Sequence, residues 1–242
     1  MKKNIIFYCL LLFSINNIYA QFDLETALLS FDKKILSDAN TAKNTPYLTE
    51  KEKQMIFYMN LVRMKPDVFL TKIIIPYTDG QEHEGLPSLK NDLQKAKSIH
   101  PLYPHKNLSE AAKYHAEDMG KIGKIGHNSS NGDSFSDRLT KFLKSGGGGS
   151  LAENCAYGSE DPLASVIQLL IDNNISSRGH RVSILSSTYF SVGVSIKPHA
   201  EYRFNSVQDF SSFKPEIKPN VDVDKKKGIQ PPKKIQPPKK RN

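Results

Sequence analysis

The chain has 242 residues and a formal net charge of +9. A chain of that length can bury a stable hydrophobic core without disulfides, so disulfide bonds are not needed to hold the fold together. Residues 214–242 hold ten basic and three acidic residues, and the first twenty residues hold two lysines, which leaves residues 21–213 formally neutral. The domain therefore lacks the charge of a nucleic-acid-binding protein, and we expect no nucleic-acid partner.

Residues 1–20 have the layout of a secretory signal peptide. Two lysines precede an uninterrupted apolar run over residues 5–13, and Ala20 is the expected last residue of the signal. The run is too short for a membrane-spanning helix, and no other segment of the sequence is apolar enough. The sequence thus predicts an extracytoplasmic protein, secreted or periplasmic, without a transmembrane segment. Its mature chain would keep one cysteine, Cys155.

The first half of the chain predicts one helix and little other regular structure. Residues 21–47 indicate a loose helix or linker ahead of a domain at 48–213. Thr49 and Glu52 have the spacing of a capping box, and the apolar residues that follow keep helical spacing until Pro66. Residues 78–104 are polar and are predicted to be irregular.

Three more helices are predicted in the next part of the sequence. Asn107 and Glu110 form a second capping box, and Gly120 is the expected end of that helix. Its apolar face consists of Leu108, Ala111, Ala112, His115 and Met119. A short helix is indicated over 135–143, followed by a flexible loop at Gly146–Gly149. Asp161 then caps a helix that has Pro162 at its first position.

The apolar period changes from helix to strand after residue 189. Residues 190–196 alternate apolar and polar side chains, as do 202–206 after a turn at 198–201, which predicts an antiparallel hairpin of half-buried strands. Leu151–Tyr157 is a candidate third strand. The predicted fold class is therefore α+β, a three-layer α/β/α sandwich with a small central antiparallel sheet.

The last segment, 214–242, is rich in lysine and proline. It contains the hexapeptide Ile-Gln-Pro-Pro-Lys-Lys twice, at 229–234 and 235–240. Prolines at this density and mutually repelling lysines predict a disordered tail. Such a tail solubilises a protein or contacts an anionic surface, and the sequence leaves both roles open.

Three short strings carry the candidate chemistry. They contain His127, Glu153 and His180, at separations of 26 and 27 residues that only a tertiary fold can bring together. Two imidazoles and a carboxylate would form a polar cavity suited to a metal, a proton or a small ligand. Glu153 lies in an apolar run and needs a partner, such as an imidazolium, or a proton.

Asp172 completes this candidate set. It lies near the end of a leucine-rich helix, where the helix dipole disfavours a carboxylate, and His180 eight residues later could compensate for this. Gly179 is expected to allow the turn that points His180 inward. His115, on an apolar helix face, is expected to be a hydrogen-bonded core residue, and Cys155 to be inert packing.

Read in order, these strings resemble the CAP superfamily of cysteine-rich secretory, antigen-five and pathogenesis-related-one proteins. The likeness rests on Leu108–Met119, Gly126-His127, Glu153-Asn154, Gly179-His180-Arg181, Val192-Gly193-Val194 and Val207–Phe210, and is greatest to the disulfide-free bacterial branch. The resemblance implies an SCP-type α/β/α sandwich. It also implies a cleft with two histidines and two acids, here His127, His180, Glu153 and Asp172, sometimes with zinc or another divalent cation.

The resemblance implies no single activity, and three hypotheses follow. In the first, the cleft binds a small molecule, lipid or peptide and the protein is not an enzyme. In the second, His127 and His180 hold a divalent metal, with Asp172 or a water completing the site, and Glu153 is the general base of a hydrolase. In the third, the cleft residues form a polar network that only stabilises the core.

Overall fold

The computed structural model describes residues 22–143 and 149–215. The predicted signal peptide, most of the glycine loop and nearly all of the Lys/Pro-rich tail lie outside the described residues. Within those ranges no helix is long and apolar enough to cross a membrane.

Helices form the first half of the described chain. Their bounds are α1 (Leu24–Leu28), α2 (Lys33–Ala39), α3 (Glu50–Met64), α4 (Pro66–Phe69), a π-helical turn (Leu70–Ile74), α5 (Ile75–Tyr77) and α6 (Leu86–Lys95). The capping box of Thr49 and Glu52 is confirmed at the start of α3. Pro66 follows the end of α3 and is the first residue of α4, where its missing N–H leaves no helical hydrogen bond unmade.

The prediction that 78–104 is irregular was wrong, because α6 lies within it. This helix has no side-chain cap, but Leu86, Leu89 and Leu93 are all buried at helical spacing. Burial of that apolar stripe against the core therefore stabilises a helix whose termini carry no capping signal in the sequence. The two short helices α1 and α2 precede the predicted domain start at residue 48, and their residues Ala27 and Ala39 belong to the main hydrophobic core.

The second half contains the sheet and the remaining helices. Their bounds are β1 (Tyr103–Pro104), α7 (Lys106–Ile122), α8 (Phe135–Leu143), β2 (Leu151–Tyr157), α9 (Pro162–Ile171), α10 (Gly179–Leu185), β3 (Ser191–His199) and β4 (Arg203–Ser211). The strand order is β1-β3-β4-β2. The hairpin β3–β4 and the strand β2 are antiparallel as predicted, whereas the two-residue β1 adds to β3 in parallel.

Helices cover both faces of the sheet, which confirms the α/β/α sandwich. Helix α7 packs closely on β3 and β4, and α8 packs on α7. Helices α3, α9 and α10 lie against the opposite face of the sheet. The prediction of half-buried strands was therefore wrong: Ser191, Gly193 and Ser195, expected on the solvent side, are buried under α7.

The termini of α7 also differ from the prediction. His105, not Asn107, is the N-cap residue, and its Nδ1 accepts a hydrogen bond from the backbone N–H of Leu108. The helix ends at Gly123, which has the left-handed φ of 67°, and not at Gly120. Gly120 lies inside the helix, and a Cβ at this position would come within 2.2 Å of the carbonyl oxygen of Pro198. The close contact with Pro198 therefore requires a glycine.

Candidate functional site

The fold joins Glu153 to an imidazole and a guanidinium. Glu153 lies on β2 and faces α7; its Oε1 is 2.9 Å from Nδ1 of His127, and its Oε2 accepts a hydrogen bond from the guanidinium of Arg138 on α8. The carboxylate and the guanidinium are both excluded from solvent, whereas the His127 side chain is 46% exposed. The sequence predicted a partner for Glu153 but missed Arg138, which supplies a permanent charge.

The loop that carries His127 is held from several sides. Gly126 has a φ of 121°, which favours glycine, and its backbone N–H donates to the hydroxyl of Tyr157 at 3.0 Å. Nε2 of His115 contacts the Gly126 carbonyl oxygen at 2.9 Å, and Arg138 donates to the His127 carbonyl at 3.2 Å. His115 is therefore a hydrogen-bonded core residue, as its position on the apolar face of α7 predicted.

His180 is held by Asp172 in a similar way. Oδ1 of Asp172 is 2.7 Å from Nδ1 of His180, and Oδ2 accepts the backbone N–H of His180 at 3.0 Å. Asp172 is the C-cap residue of α9, with a left-handed φ of 56°, and is 3% exposed. Its interaction with His180 offsets the unfavourable position of a carboxylate at the C-terminal end of a helix.

Gly179 does not provide the expected turn. The residue with a left-handed backbone is Arg178, at a φ of 50°, and Gly179 begins α10 with space for a side chain. Arg178 donates to the carbonyl of Asp172 at 2.6 Å, which supports the strained segment. Arg181 is buried and donates to the carbonyls of Leu170 and Ile171, so it joins the end of α9 to α10.

The two imidazoles meet in one cleft. The ring centroids of His127 and His180 are 6.5 Å apart, at an interplanar angle of 37°. Each ring directs Nδ1 to a buried carboxylate, and neither Nε2 has a hydrogen-bond partner among the residues that the structure describes. In a neutral ring, a proton on Nδ1 that is donated to the carboxylate leaves the lone pair on Nε2.

This donor set fits a divalent metal. Metal-binding histidines characteristically direct the second ring nitrogen to a carboxylate, and both rings do so here. A second group of possible ligand atoms, from His115, Glu153 and Cys155, lies within 4.8 Å of one another. That group fits poorly, because Glu153 already pairs with Arg138 and His115 already contacts the Gly126 carbonyl.

Burial and charge shift the pKa values around Glu153 in opposite directions. Burial raises the pKa of the Glu153 carboxyl, but the hydrogen bond from His127 and the charge of Arg138 outweigh it and lower the pKa overall. Burial and the negative charge of Glu153 raise the pKa of Asp209 well above its usual range. Burial likewise raises the pKa of the Cys155 thiol, which accords with the expected packing role.

A cavity of about 420 Å³ opens beside His180. His180, Asp172, Gln168 and His83 contribute polar groups to its wall. Its apolar lining consists of Tyr77, Ala164, Ile167, Leu169, Ile171 and Ile175. A cavity lined by both polar and apolar side chains suits a ligand of mixed character.

The comparisons with known proteins agree with this fold. The family model described as CAP, the cysteine-rich secretory protein family, matches residues 59–210, which is more than half of the chain. The chain belongs to the CAP family. No curated protein shows a significant match to it.

Solved structures similar to this CAP protein include three from different organisms. They are an extracellular SCP-domain protein of Bacillus anthracis (25% identity, 47% of this chain and 34% of that one, TM-score 0.39), an outer surface protein of Borrelia burgdorferi (18%, 47% and 78%, 0.39) and venom allergen-like protein 4 of Schistosoma mansoni (15%, 69% and 94%, 0.41). The chain spans about a third of the Bacillus protein.

Proposed function

We propose that this protein is exported and that its CAP cleft binds a small molecule, lipid or peptide. The observation that carries the proposal is the pair of neighbouring imidazoles whose Nε2 atoms have no hydrogen-bond partner among the described residues. His115 differs from this pair, because it is buried and its Nε2 contacts the Gly126 carbonyl, which is a structural role. The adjoining cavity adds an apolar wall on which the rest of a ligand would pack.

A divalent cation, zinc or one of similar preference, fits between the rings. His127 and His180 would hold it through Nε2, and Glu153 and Asp172 would fix the ring orientations from behind. A bound cation would act as a Lewis acid toward an oxygen of the ligand. The two carboxylates themselves remain with the imidazoles and contribute orientation and charge.

The hydrolase alternative finds less support in this geometry. It needs a general base within reach of a substrate or a water, and Glu153 was the candidate. The Glu153 carboxylate has no exposed surface, and its two oxygens are engaged by His127 and Arg138. Asp172 is similarly occupied, because both its oxygens contact His180.

The alternative of a purely structural network applies to one half of the site. Glu153 and Arg138 form a solvent-excluded ion pair, which is a stabilising arrangement as long as both partners remain. The exposed part of the His127 ring contributes little to such a network. The same residues can therefore stabilise the core on one side and bind a ligand on the other.

Export and surface contact belong to the same proposal. The signal-like residues 1–20 support export, and the net charge of +7 over 214–242 supports contact between the tail and an anionic surface. Both are tested by locating the protein in cell fractions and by measuring its retention on anionic vesicles, with and without residues 214–242. An unprocessed chain inside the cell would contradict the export proposal.

The cleft proposal is tested by binding measurements on the full mature chain. Calorimetry with zinc alone is expected to give about one equivalent, lost in His127→Ala and in His180→Ala. A panel of lipid vesicles and short peptides is then titrated with and without zinc. His100→Ala is the matched control, because His100 stacks on Phe190 away from the cleft. A protein that binds neither zinc nor any member of the panel would refute the proposal.

A further inference from the structure

Asp209 is a buried carboxyl without a hydrogen-bond partner. It lies in the middle of β4 and is 0% exposed, and neither of its oxygens has a partner within the described ranges. An ionised carboxylate in that position would lack both water and a donor. Neither the proposed ligand contacts nor the core packing explains why an acid occupies this position.

The sheet register places Asp209 directly beside Glu153. Asp209 pairs with Glu153 on β2 and with Gly193 on β3. Helix α7 closes this region, since a Cβ on Gly193 would lie 2.0 Å from the carbonyl carbon of Leu108. Directly opposite residues on one sheet face have side chains within contact distance, so the two carboxyls are neighbours, and neither is exposed to bulk solvent.

The permanent positive charge next to these two carboxyls can compensate one negative charge. The titratable groups that act on Asp209 are Glu153 on β2 and Arg138 on α8. His127, His115 on α7 and Cys155 on β2 lie next to Glu153. Arg138 is the permanent cation among these, and Glu153 already accepts its hydrogen bond. Two adjacent carboxylates that share one cation in a low-dielectric interior repel each other strongly, so one of them retains a proton.

We propose that Asp209 is the neutral member of this pair and donates its O–H to Glu153, which makes Asp209 a positioning residue for the cleft. A donor from β4 would fix the Glu153 carboxylate while Oε1 contacts His127 and Oε2 contacts Arg138. Asp209 would then act on the cleft through Glu153 and touch no ligand. The inference concerns the ligand-free protein, so its success or failure is separate from that of the proposed binding function.

The protonation state is measured directly by infrared difference spectroscopy. At neutral pH the wild-type protein is expected to show the carbonyl band of a protonated carboxylic acid, and Asp209→Asn is expected to lack it. Both proteins are folded in this comparison, because asparagine is nearly isosteric and can donate to Glu153 through its amide. A wild-type spectrum without such a band, or a band that survives in Asp209→Asn, would overturn the proposal.

The positioning role is measured on His127 by nitrogen NMR, which reports which ring nitrogen bears the proton. Wild type and Asp209→Asn are expected to share one tautomer, with the proton on Nδ1 facing Glu153, and Asp209→Ala is expected to show a mixture. Ser195→Ala is the control, since it also removes a buried, unpartnered oxygen on this sheet face. The positioning role would be contradicted if Asp209→Ala kept the wild-type tautomer of His127, or if Asp209→Asn did not keep it. If the alanine variant does not fold, the infrared comparison still decides whether Asp209 is protonated.

Discussion

Glu153 and Arg138 form an ion pair across the β2–α8 contact from which solvent is excluded on both sides. Loss of one partner leaves the other buried and uncompensated, which typically costs about 3–5 kcal/mol. We therefore expect Glu153→Gln to lower the free energy of unfolding by about that amount, measured by urea denaturation. The stability loss is expected whether or not the cleft binds a ligand, so it does not discriminate between a functional and a structural site.

The control for this prediction is Glu160→Gln. Glu160 pairs with Lys51, and both side chains are about half exposed. Exposed pairs contribute roughly 0–1 kcal/mol, so the unfolding free energy of this variant should remain close to that of the wild type. Equal losses in the two variants would contradict the assignment of a buried pair.

Gly193 allows α7 to approach the sheet above Asp209. A Cβ at Gly193 would lie 2.0 Å from the carbonyl carbon of Leu108 and 2.2 Å from the backbone nitrogen of Ser109. Gly193→Ala must separate helix and sheet, and we expect it to lower the unfolding free energy by about 3 kcal/mol or more. Thermal unfolding measures the loss.

Gly179→Ala is the matched substitution for this prediction. The nearest atom to its Cβ would be Oγ of Ser177 at 3.5 Å, an ordinary contact, and its backbone needs no left-handed φ. Alanine is the better helix former by about 1 kcal/mol, so the variant should be at least as stable as the wild type. A large loss there would show that the glycine of the Gly-His-Arg string has a role that its packing does not reveal.

Sequence patterns predicted the elements whose signals are local. The capping box of Thr49 and Glu52 and the N-cap Asp161 are set by hydrogen bonds within a few residues, and both occur as predicted. Helix α6 was missed because its stability comes from burial of three leucines and not from its ends. Gly120 was wrongly predicted to end α7, again because a tertiary contact decides its role. The glycine allows close contact with Pro198 and does not terminate the helix.

The spacing of the candidate strings led to four residues that do lie together in pairs, His127 with Glu153 and His180 with Asp172. Arg138 gave no signal, because nothing in the sequence matches a basic residue on α8 to Glu153. Asp209 lies beyond the strand predicted over 202–206, so the sequence pattern gave it no place in the sheet. In the structure β4 continues to Ser211, and Asp209 is buried within it.

Asp172 offers a prediction about the metal proposal. Asparagine tolerates the left-handed backbone and keeps one acceptor oxygen, so Asp172→Asn should fold. It removes the charge that orients His180 through Nδ1, and loss of such a partner usually weakens metal binding about 10- to 100-fold. Zinc calorimetry measures the change. Asp161→Asn at the other end of α9 is the control, since asparagine also serves as an N-cap; equal zinc affinity in both variants would contradict the role of Asp172.

Asp209 makes stability depend on pH in a defined direction. Its pKa is raised in the folded protein from a usual value of 3.8, so the folded state binds the proton more tightly than the unfolded state. This contribution is fully present below pH 3.8 and is lost as the pH rises toward the folded-state pKa. Asp209→Asn has no such loss. Relative to wild type it should gain up to about 1.4 kcal/mol of unfolding free energy for each pH unit across that window.

Urea denaturation at a series of pH values from acid to neutral measures this difference. Asp79→Asn provides the comparison, because it also replaces a carboxyl by an amide but at an exposed position of the same chain. The Glu153 contribution runs in the opposite direction, since its lowered pKa stabilises the fold above its usual value of 4.5; the amide in Asp209→Asn can still donate to Glu153, so this contribution is expected to be retained. A difference between Asp209→Asn and wild type that does not grow with pH would mean that Asp209 is ionised in the folded protein. The pair would then hold two negative charges, and β4 could not supply a donor to Glu153.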